Sequence, residues 1–310
     1  MRRLAISAIV ANAGIVVTGG AVRLSNSGLG CPDWPKCTDG RLLPGGSNAH
    51  GPLHQGIEFS NRLLTFLVFA TAVACVLGVW RLRPRRPGVL AIAWILPGGI
   101  VLQAVLGGIT VLDKLNPLTV AAHFLPSMAL CYCAAWLYAR VVEGDGPPQL
   151  VVRREIQLGV RLLVVVVGAV SIVGTLVTAT GPHAGDPHTR RLGWDPKMVT
   201  QFHADLVFLY VGLVVALILG LRATRAPRRV VLRAYVVVGV VILQAAVGYT
   251  QYFLHVPPVL VGIHMFGATI AVITTARLFF STRERLDPQP IAEPVQDAET
   301  ATRVPLSDRS

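Results

Sequence analysis

Charge is what this sequence has least of. Asp, Glu, Lys and Arg make up 14% of its 310 residues, against roughly 25% in a soluble domain. Acids are scarcer still, 16 against 28 bases. Sulfur is sparse too: five cysteines and four methionines leave no grouped soft donors of the kind a zinc or copper site uses. What fills the space is apolar. Hydrophobic residues are 53% of the chain and the mean hydropathy is +0.59. A membrane span needs about 20 mostly apolar residues. Eight runs qualify, at 4–22, 57–80, 89–111, 117–140, 162–180, 199–221, 234–253 and 258–280. An even number puts both termini on one side.

The net charge of +12 is not a nucleic-acid footprint, because the bases alternate with the spans. They cluster in Arg2 and Arg3, in 81–86, in 140–161, in 222–233 and just after the last span. By the positive-inside rule these segments, and hence both termini, face the cytoplasm of a multi-pass cell-membrane protein. Near the N-terminus, Ala11-Asn12-Ala13 imitates a signal-peptidase site. Its preceding apolar run is short and continues to Val22, so an uncleaved first helix is expected. The segment 281–310 is rich in Pro, Glu, Asp and Thr and reads as a disordered cytoplasmic tail.

Two stretches are near-copies, Leu102–Phe124 and Leu243–Met265. At one constant offset Leu102 matches Leu243, Gln103 matches Gln244, Ala104 matches Ala245, Gly107 matches Gly248, Pro117 matches Pro258 and His123 matches His264. Each copy reads as a helix end, a Pro-bearing turn and a second helix with a histidine about two turns in. The expected fold is therefore all-α, with eight transmembrane helices in two pseudo-symmetric four-helix bundles. Residues 1–140 form the first half, 141–161 a cytoplasmic linker, 162–280 the second half and 281–310 the tail.

The first outer loop holds Cys31-Pro-Asp-Trp-Pro-Lys-Cys37. Outside the cytoplasm a disulfide is the favoured reading and metal binding the rival. Cys75, Cys131 and Cys133 fall within spans and read as inert core thiols. Glu58 and Arg62, four apart on one helix face, form either a structural ion pair or a functional one. Ionisable groups in spans are costly and usually face a cavity or ligand, which favours a functional Glu58.

All eight histidines lie in outer loops or the outer halves of spans. His203 and His264 stand at matching depths on helices six and eight. Two imidazoles on separate helices suit the axial positions of a haem, and apolar walls would tune its iron. A bis-His haem at His203 and His264 is the expectation. In the first half His123 remains, but the position aligned with His203 is Asn61. His54 lies two turns above Asn61 and would substitute only for a higher haem. A fully ligated iron suits electron transfer, whereas an exchangeable position beside a carboxylate suits chemistry.

With these residues the chain resembles the haem A synthase family over about residues 5–280. The resemblance rests on the eight spans in two halves, Cys31 and Cys37, the Glu58-x-x-x-Arg62 opening of helix two, and His123, His203 and His264. It implies an oxidoreductase that turns the C8 methyl of haem O into a formyl group by two hydroxylations, giving haem A for terminal oxidase assembly. It further implies haem b on His203 and His264, and substrate haem near His123, with His54, Asn61 and Arg62 as its further neighbours. Glu58 would assist proton removal or stabilise positive charge on the methyl carbon, and Cys31–Cys37 would be a disulfide beside the substrate. Haem O synthase, a farnesyltransferase, and oxidase assembly factors are the implied partners. Many family members have histidine where this chain has Asn61. The competing reading is a non-catalytic b-type cytochrome, which would want four ligands. A transporter or haem chaperone fits less well, because the halves run parallel and lack the broken helices expected around a midplane site.

Overall fold

Eight long helices make up three quarters of the described backbone. The computed structural model describes residues 1–45 and 51–285. His50 and most of the expected disordered tail, 286–310, lie outside the described residues. The helices are α1 (Arg2–Leu24), α2 (Gly51–Trp80), α3 (Pro87–Leu112), α4 (Pro117–Val142), α5 (Arg154–Thr180), α6 (Pro196–Ala223), α7 (Arg228–Phe253) and α8 (Pro258–Ser281). Each is long and apolar enough to cross a membrane, so this is a multi-pass membrane protein. Large apolar side chains such as Phe66, Trp94, Phe208 and Leu243 stay exposed on the outside of the bundle, where lipid rather than water would meet them.

Four helices start at a proline in their first turn: α3 at Pro87, α4 at Pro117, α6 at Pro196 and α8 at Pro258. That position needs no backbone N–H donor. The side chains of Asn116 and Asp195 accept from Leu118 N and Lys197 N, capping α4 and α6. Both repeat copies turn identically. Lys114-Leu115 and His255-Val256 each adopt two successive positive φ angles. Leu115 N donates to Thr110 O, and Val256 N donates to Gln251 O. The helices outrun the apolar runs most in three places. Helix α2 begins at Gly51, α5 at Arg154 and α7 at Arg228, because His54, Glu58, Glu155, Arg161, Arg229 and Arg233 end an apolar run without ending a helix.

Packing divides the helices into two rings. In the first, α1 packs on α2, α2 on α3, α3 on α4, and α4 back on α1. In the second, α5, α6, α7 and α8 close in the same way. Neither ring has a substantial interface across its diagonal. The rings meet through α1 and α4 on one side and α5 and α8 on the other. Two-residue strands β1 (Gln149–Leu150) and β2 (Arg283–Glu284) pair at the terminus-bearing end, and Arg229 bonds Glu284 there at 2.9 Å.

The core is lopsided along the helix axis. At the terminus-bearing end it is dense: Val214, Leu217 and Leu221 of α6, Val230, Ala234 and Val237 of α7, and Ala276 and Leu278 of α8 are buried together. Val68, Ala72, Cys75 and Val79 of α2 pack with Val89, Leu96 and Leu137 in a second cluster. Toward the disulfide-bearing end the packing thins. Between Val199 and Tyr210 no residue of α6 is buried, and the buried residues of α7 stop at Val241. On α4 none precedes Met128. The side chains of α4, α6 and α7 in this half are therefore more accessible than those at the terminus-bearing end.

Candidate functional site

The singled-out histidines sit in the thinly packed half of each ring. His203 and His264 project from α6 and α8, the diagonal pair of the second ring. Their ring centroids are 6.5 Å apart, with planes at 65°. A metal bound at about 2 Å by a nitrogen of each imidazole separates two ring centroids by about 6 Å. Below them Tyr210 of α6 bonds Thr275 of α8 at 2.5 Å, closing the diagonal and giving the space a floor.

Every one of these histidines leans on a glycine of a neighbouring helix. A Cβ at Gly107 would lie 3.1 Å from His123 Cε1, one at Gly174 3.2 Å from His203 Cε1, and one at Gly248 3.3 Å from His264 Cε1. The fourth position follows suit: a Cβ at Gly19 would lie 3.8 Å from Asn61 Nδ2. Thr18 donates to Asn61 Oδ1 at 2.7 Å. In each histidine the Nδ1 edge is turned to that neighbouring helix, and for His123 and His203 the backbone of Gln103 and of Val170 stands beside it, which leaves Nε2 as the nitrogen available to a ligand. The spacing, the floor, the glycine cradles and the apolar walls fit a planar group with imidazoles on its axis. Among the described residues no three His, Cys, Asp or Glu side chains converge as a metal site.

The repeated glutamines tie these helices in place. Gln244 Nε2 donates to His264 O at 3.0 Å, reaching in where Gly267 has no side chain. Gln103 takes a detour. It bonds Ser127 Oγ, which in turn donates to His123 O at 3.2 Å. Sequence reasoning matched Gln103 with Gln244 and Gly107 with Gly248 as repeat positions without giving them a role. Their signal was available: small or amide residues at fixed offsets from an intramembrane histidine. Gly248→Leu is expected to push the His264 ring out of place and abolish any ligand held by the His203–His264 pair. Gly239→Leu, on the same helix with nothing within 4 Å of a Cβ, is expected to leave it intact. Absorbance of the two purified variants compares them directly.

Glu58 and Arg62 lock the disulfide loop to α2. Cys31 and Cys37 are bonded to each other. Cys31 N donates to Glu58 Oε2 at 2.7 Å, and Arg62 Nη2 donates to Glu58 Oε1 at 2.6 Å. Arg62 also donates to the carbonyls of Cys31, Asp33 and Lys36, at 2.7, 3.1 and 2.9 Å. Glu58 is only 6% exposed. A backbone N–H and a guanidinium thus engage the two oxygens of the one carboxylate. The same loop lays Trp34 flat on α3, where a Cβ at Gly108 would overlap the indole. Trp34 thus covers α3 beside Gly107 and His123, a neighbour the sequence gave no reason to select. His54 is turned to the α1 end, its Nδ1 2.8 Å from Ser27 Oγ.

Comparison with known proteins places this arrangement. Over residues 2–276 the chain matches the COX15-CtaA family, described as cytochrome oxidase assembly protein. It is similar to a protein named heme A synthase from Shewanella oneidensis, 25% identical over 84% of this chain and 90% of that protein. It is also similar to heme A synthases of Geobacillus kaustophilus, 31% identical, and Lysinibacillus sphaericus, 33% identical. These last two matches cover about a third of either chain, 35% and 32% for the first and 34% and 33% for the second. With the match running from the first helix to the last, this chain belongs to the COX15-CtaA family of cytochrome oxidase assembly proteins.

Proposed function

We propose that the protein is a haem A synthase: it oxidises the C8 methyl of haem O to a formyl group by two successive hydroxylations, each adding one oxygen and removing two electrons from the methyl carbon with an oxidant and oxygen source from outside the chain, the gem-diol then losing water. The observation that carries this is the unequal equipment of the two rings. His203 and His264 face each other at 6.5 Å in the second ring, whereas the first has His123 on one diagonal helix and Asn61 on the other. A haem b held by His203 and His264 would supply electron transfer when bound. The heme A synthase name of the Shewanella relative, matched over most of both chains, supports the same substrate.

The chain's own residues divide the remaining work. His123 binds the iron of the substrate haem, oriented by Gly107 and by the Gln103–Ser127 link. The apolar side chains around it exclude water. Glu58, held by Arg62 and Cys31 N, is better suited to stabilising positive charge on the methyl carbon than to acting as a strong base, since its lone pairs are already engaged. The disulfide loop holds that carboxylate and Trp34 over the mouth of the ring. The distribution of Lys and Arg supports a cell-membrane protein with cytoplasmic termini, and so puts both haem sites toward the outer leaflet.

Mass analysis of membrane haems tests this. Cells lacking the protein are expected to accumulate haem O and lose haem A. Glu58→Gln is expected to retain haem b yet form haem A about 100-fold more slowly. Haem A at normal levels with Glu58→Gln would remove the carboxylate from the chemistry. Unchanged haem A in cells without the protein would sink the whole reading.

A further inference from the structure

At the disulfide-bearing end, two arginines converge where the second ring meets α1. Arg23 ends α1, donating from Nε to His183 O at 2.6 Å and from Nη2 to Thr178 O at 3.2 Å. Arg191 follows from the α5–α6 loop, donating from Nη2 to Pro182 O. The two guanidinium groups are close enough to repel each other. Arg191 Nη1 is buried with no partner among the described residues, and so is Thr189 Oγ1 of the same loop. Burial also holds the Arg191 guanidinium below its ordinary pKa. A guanidinium N–H left without an acceptor, beside a second positive charge, is an arrangement that an anion would complete.

The loop's path says where that anion comes from. It leaves α5, and His183 Nε2 donates to Val256 O in the α7–α8 turn at 2.8 Å. It then returns to α5, where Leu192 N donates to Ala179 O at 3.1 Å. It therefore lies across the mouth of the second ring, above the His203–His264 pair. His203 is seven residues past Pro196, about 10 Å down the α6 axis. That drop is of the order of the reach from a porphyrin's centre to the end of one of its acid side chains.

We propose that Arg23 and Arg191 form a carboxylate receptor whose occupant is a propionate of the haem held between His203 and His264. This rests on the haem reading given above. Arginine presents its donors as a planar fork that matches a carboxylate's two oxygens. The orphaned Nη1 and the Thr189 hydroxyl supply donors without disturbing the bonds already made. A carboxylate bound there would also offset the mutual repulsion of the two guanidinium groups.

The experiment uses full-length protein produced without haem and titrated with haem b or its dimethyl ester. The ester keeps the ring and iron but has no carboxylates. The wild type is expected to bind the free acid about tenfold or more tightly than the ester. Arg191→Gln, which removes the positive charge but keeps a polar side chain, is expected to bring that ratio close to one with the ester affinity unchanged and a bis-His spectrum retained. Equal affinities in the wild type would overturn the receptor and point to a lipid phosphate as the arginines' partner. An undiminished ratio in Arg191→Gln would overturn it too. If the wild type gives no bis-His spectrum with either compound, the haem reading itself falls, and the receptor with it. A normal spectrum without discrimination marks failure of the receptor alone.

Discussion

Replacing His264 with alanine is expected to give a folded, membrane-inserted protein with no haem b in its second ring. The reasoning begins with where the fold gets its stability. Tight packing is concentrated at the terminus-bearing end, in Val214, Leu217, Val230, Val237 and Leu278, with Tyr210 and Thr275 bonded above them. His264 sits beyond that floor, in the thin half. Its Nδ1 has no partner among the described residues, so truncation breaks no side-chain hydrogen bond there. Gln244 holds the backbone carbonyl of residue 264 rather than its ring, and alanine preserves that bond. The fold therefore loses little, of the order of 1 kcal/mol, as for a substitution away from the dense core. The ligand site loses half its axial set. Even residues that only orient a metal ligand are worth about 10- to 100-fold in affinity, so an axial ligand is expected to be worth at least about 100-fold. Pyridine haemochrome assay and reduced-minus-oxidised spectra on purified His264→Ala give the answer. An unchanged low-spin spectrum after both His203→Ala and His264→Ala would sink the bis-His assignment.

Much of this arrangement is legible from residue order because a membrane simplifies the code. Every backbone polar group in lipid must be satisfied within its own segment, so an apolar run of sufficient length can only be a helix. All eight emerge from that rule. The histidines at 203 and 264 are legible through depth, since matched positions on the second and fourth helices of a four-helix ring lie across its diagonal. What the sequence hides depends on neighbours. Gly174 gains meaning only when α5 is known to pack against α6, and Gly19 only when α1 packs against α2. The start of α5 is hidden for another reason. Hydropathy reads the edge of the apolar run, while Arg154, Glu155 and Arg161 are good helix formers that carry the helix on beyond it. Glu58 and Arg62 are readable as a pair from their spacing. Their grip on the carbonyls of Cys31, Asp33 and Lys36 is not, because it depends on the irregular path of a loop closed by a disulfide. Trp34 illustrates the same limit: an indole in a loop packs on α3 at Gly108, a meeting that a chain diagram cannot locate.

Asn61→His is expected to turn the first ring into a second six-coordinate site. The position already has the surroundings that the other three share. A glycine faces it from the neighbouring helix, with a Cβ at Gly19 3.8 Å from Asn61 Nδ2, against 3.1 to 3.3 Å beside the three histidines. That slightly larger gap is what a shorter side chain leaves, and an imidazole would close it. Thr18, which now donates to Asn61 Oδ1 at 2.7 Å, would lose that bond at a cost of about 1 kcal/mol. A new iron–imidazole bond opposite His123 would outweigh it. With substrate haem bound, the wild type should give one low-spin bis-His spectrum and one spectrum of an iron with an exchangeable position. The variant should give two low-spin spectra. Cyanide or carbon monoxide, which need that exchangeable position, should bind the first ring at least about tenfold more weakly in Asn61→His, a difference of 1.4 kcal/mol or more. The informative alternative is a wild type in which both irons are already low-spin and ligand-insensitive. Some other side chain would then complete the first site, and His54 is the next residue to change, although its Nδ1 is held by Ser27. Loss of the second low-spin signal in His54→Ala, with Asn61 untouched, would transfer the axial role to His54 and leave the amide at 61 only a spectator of the chemistry.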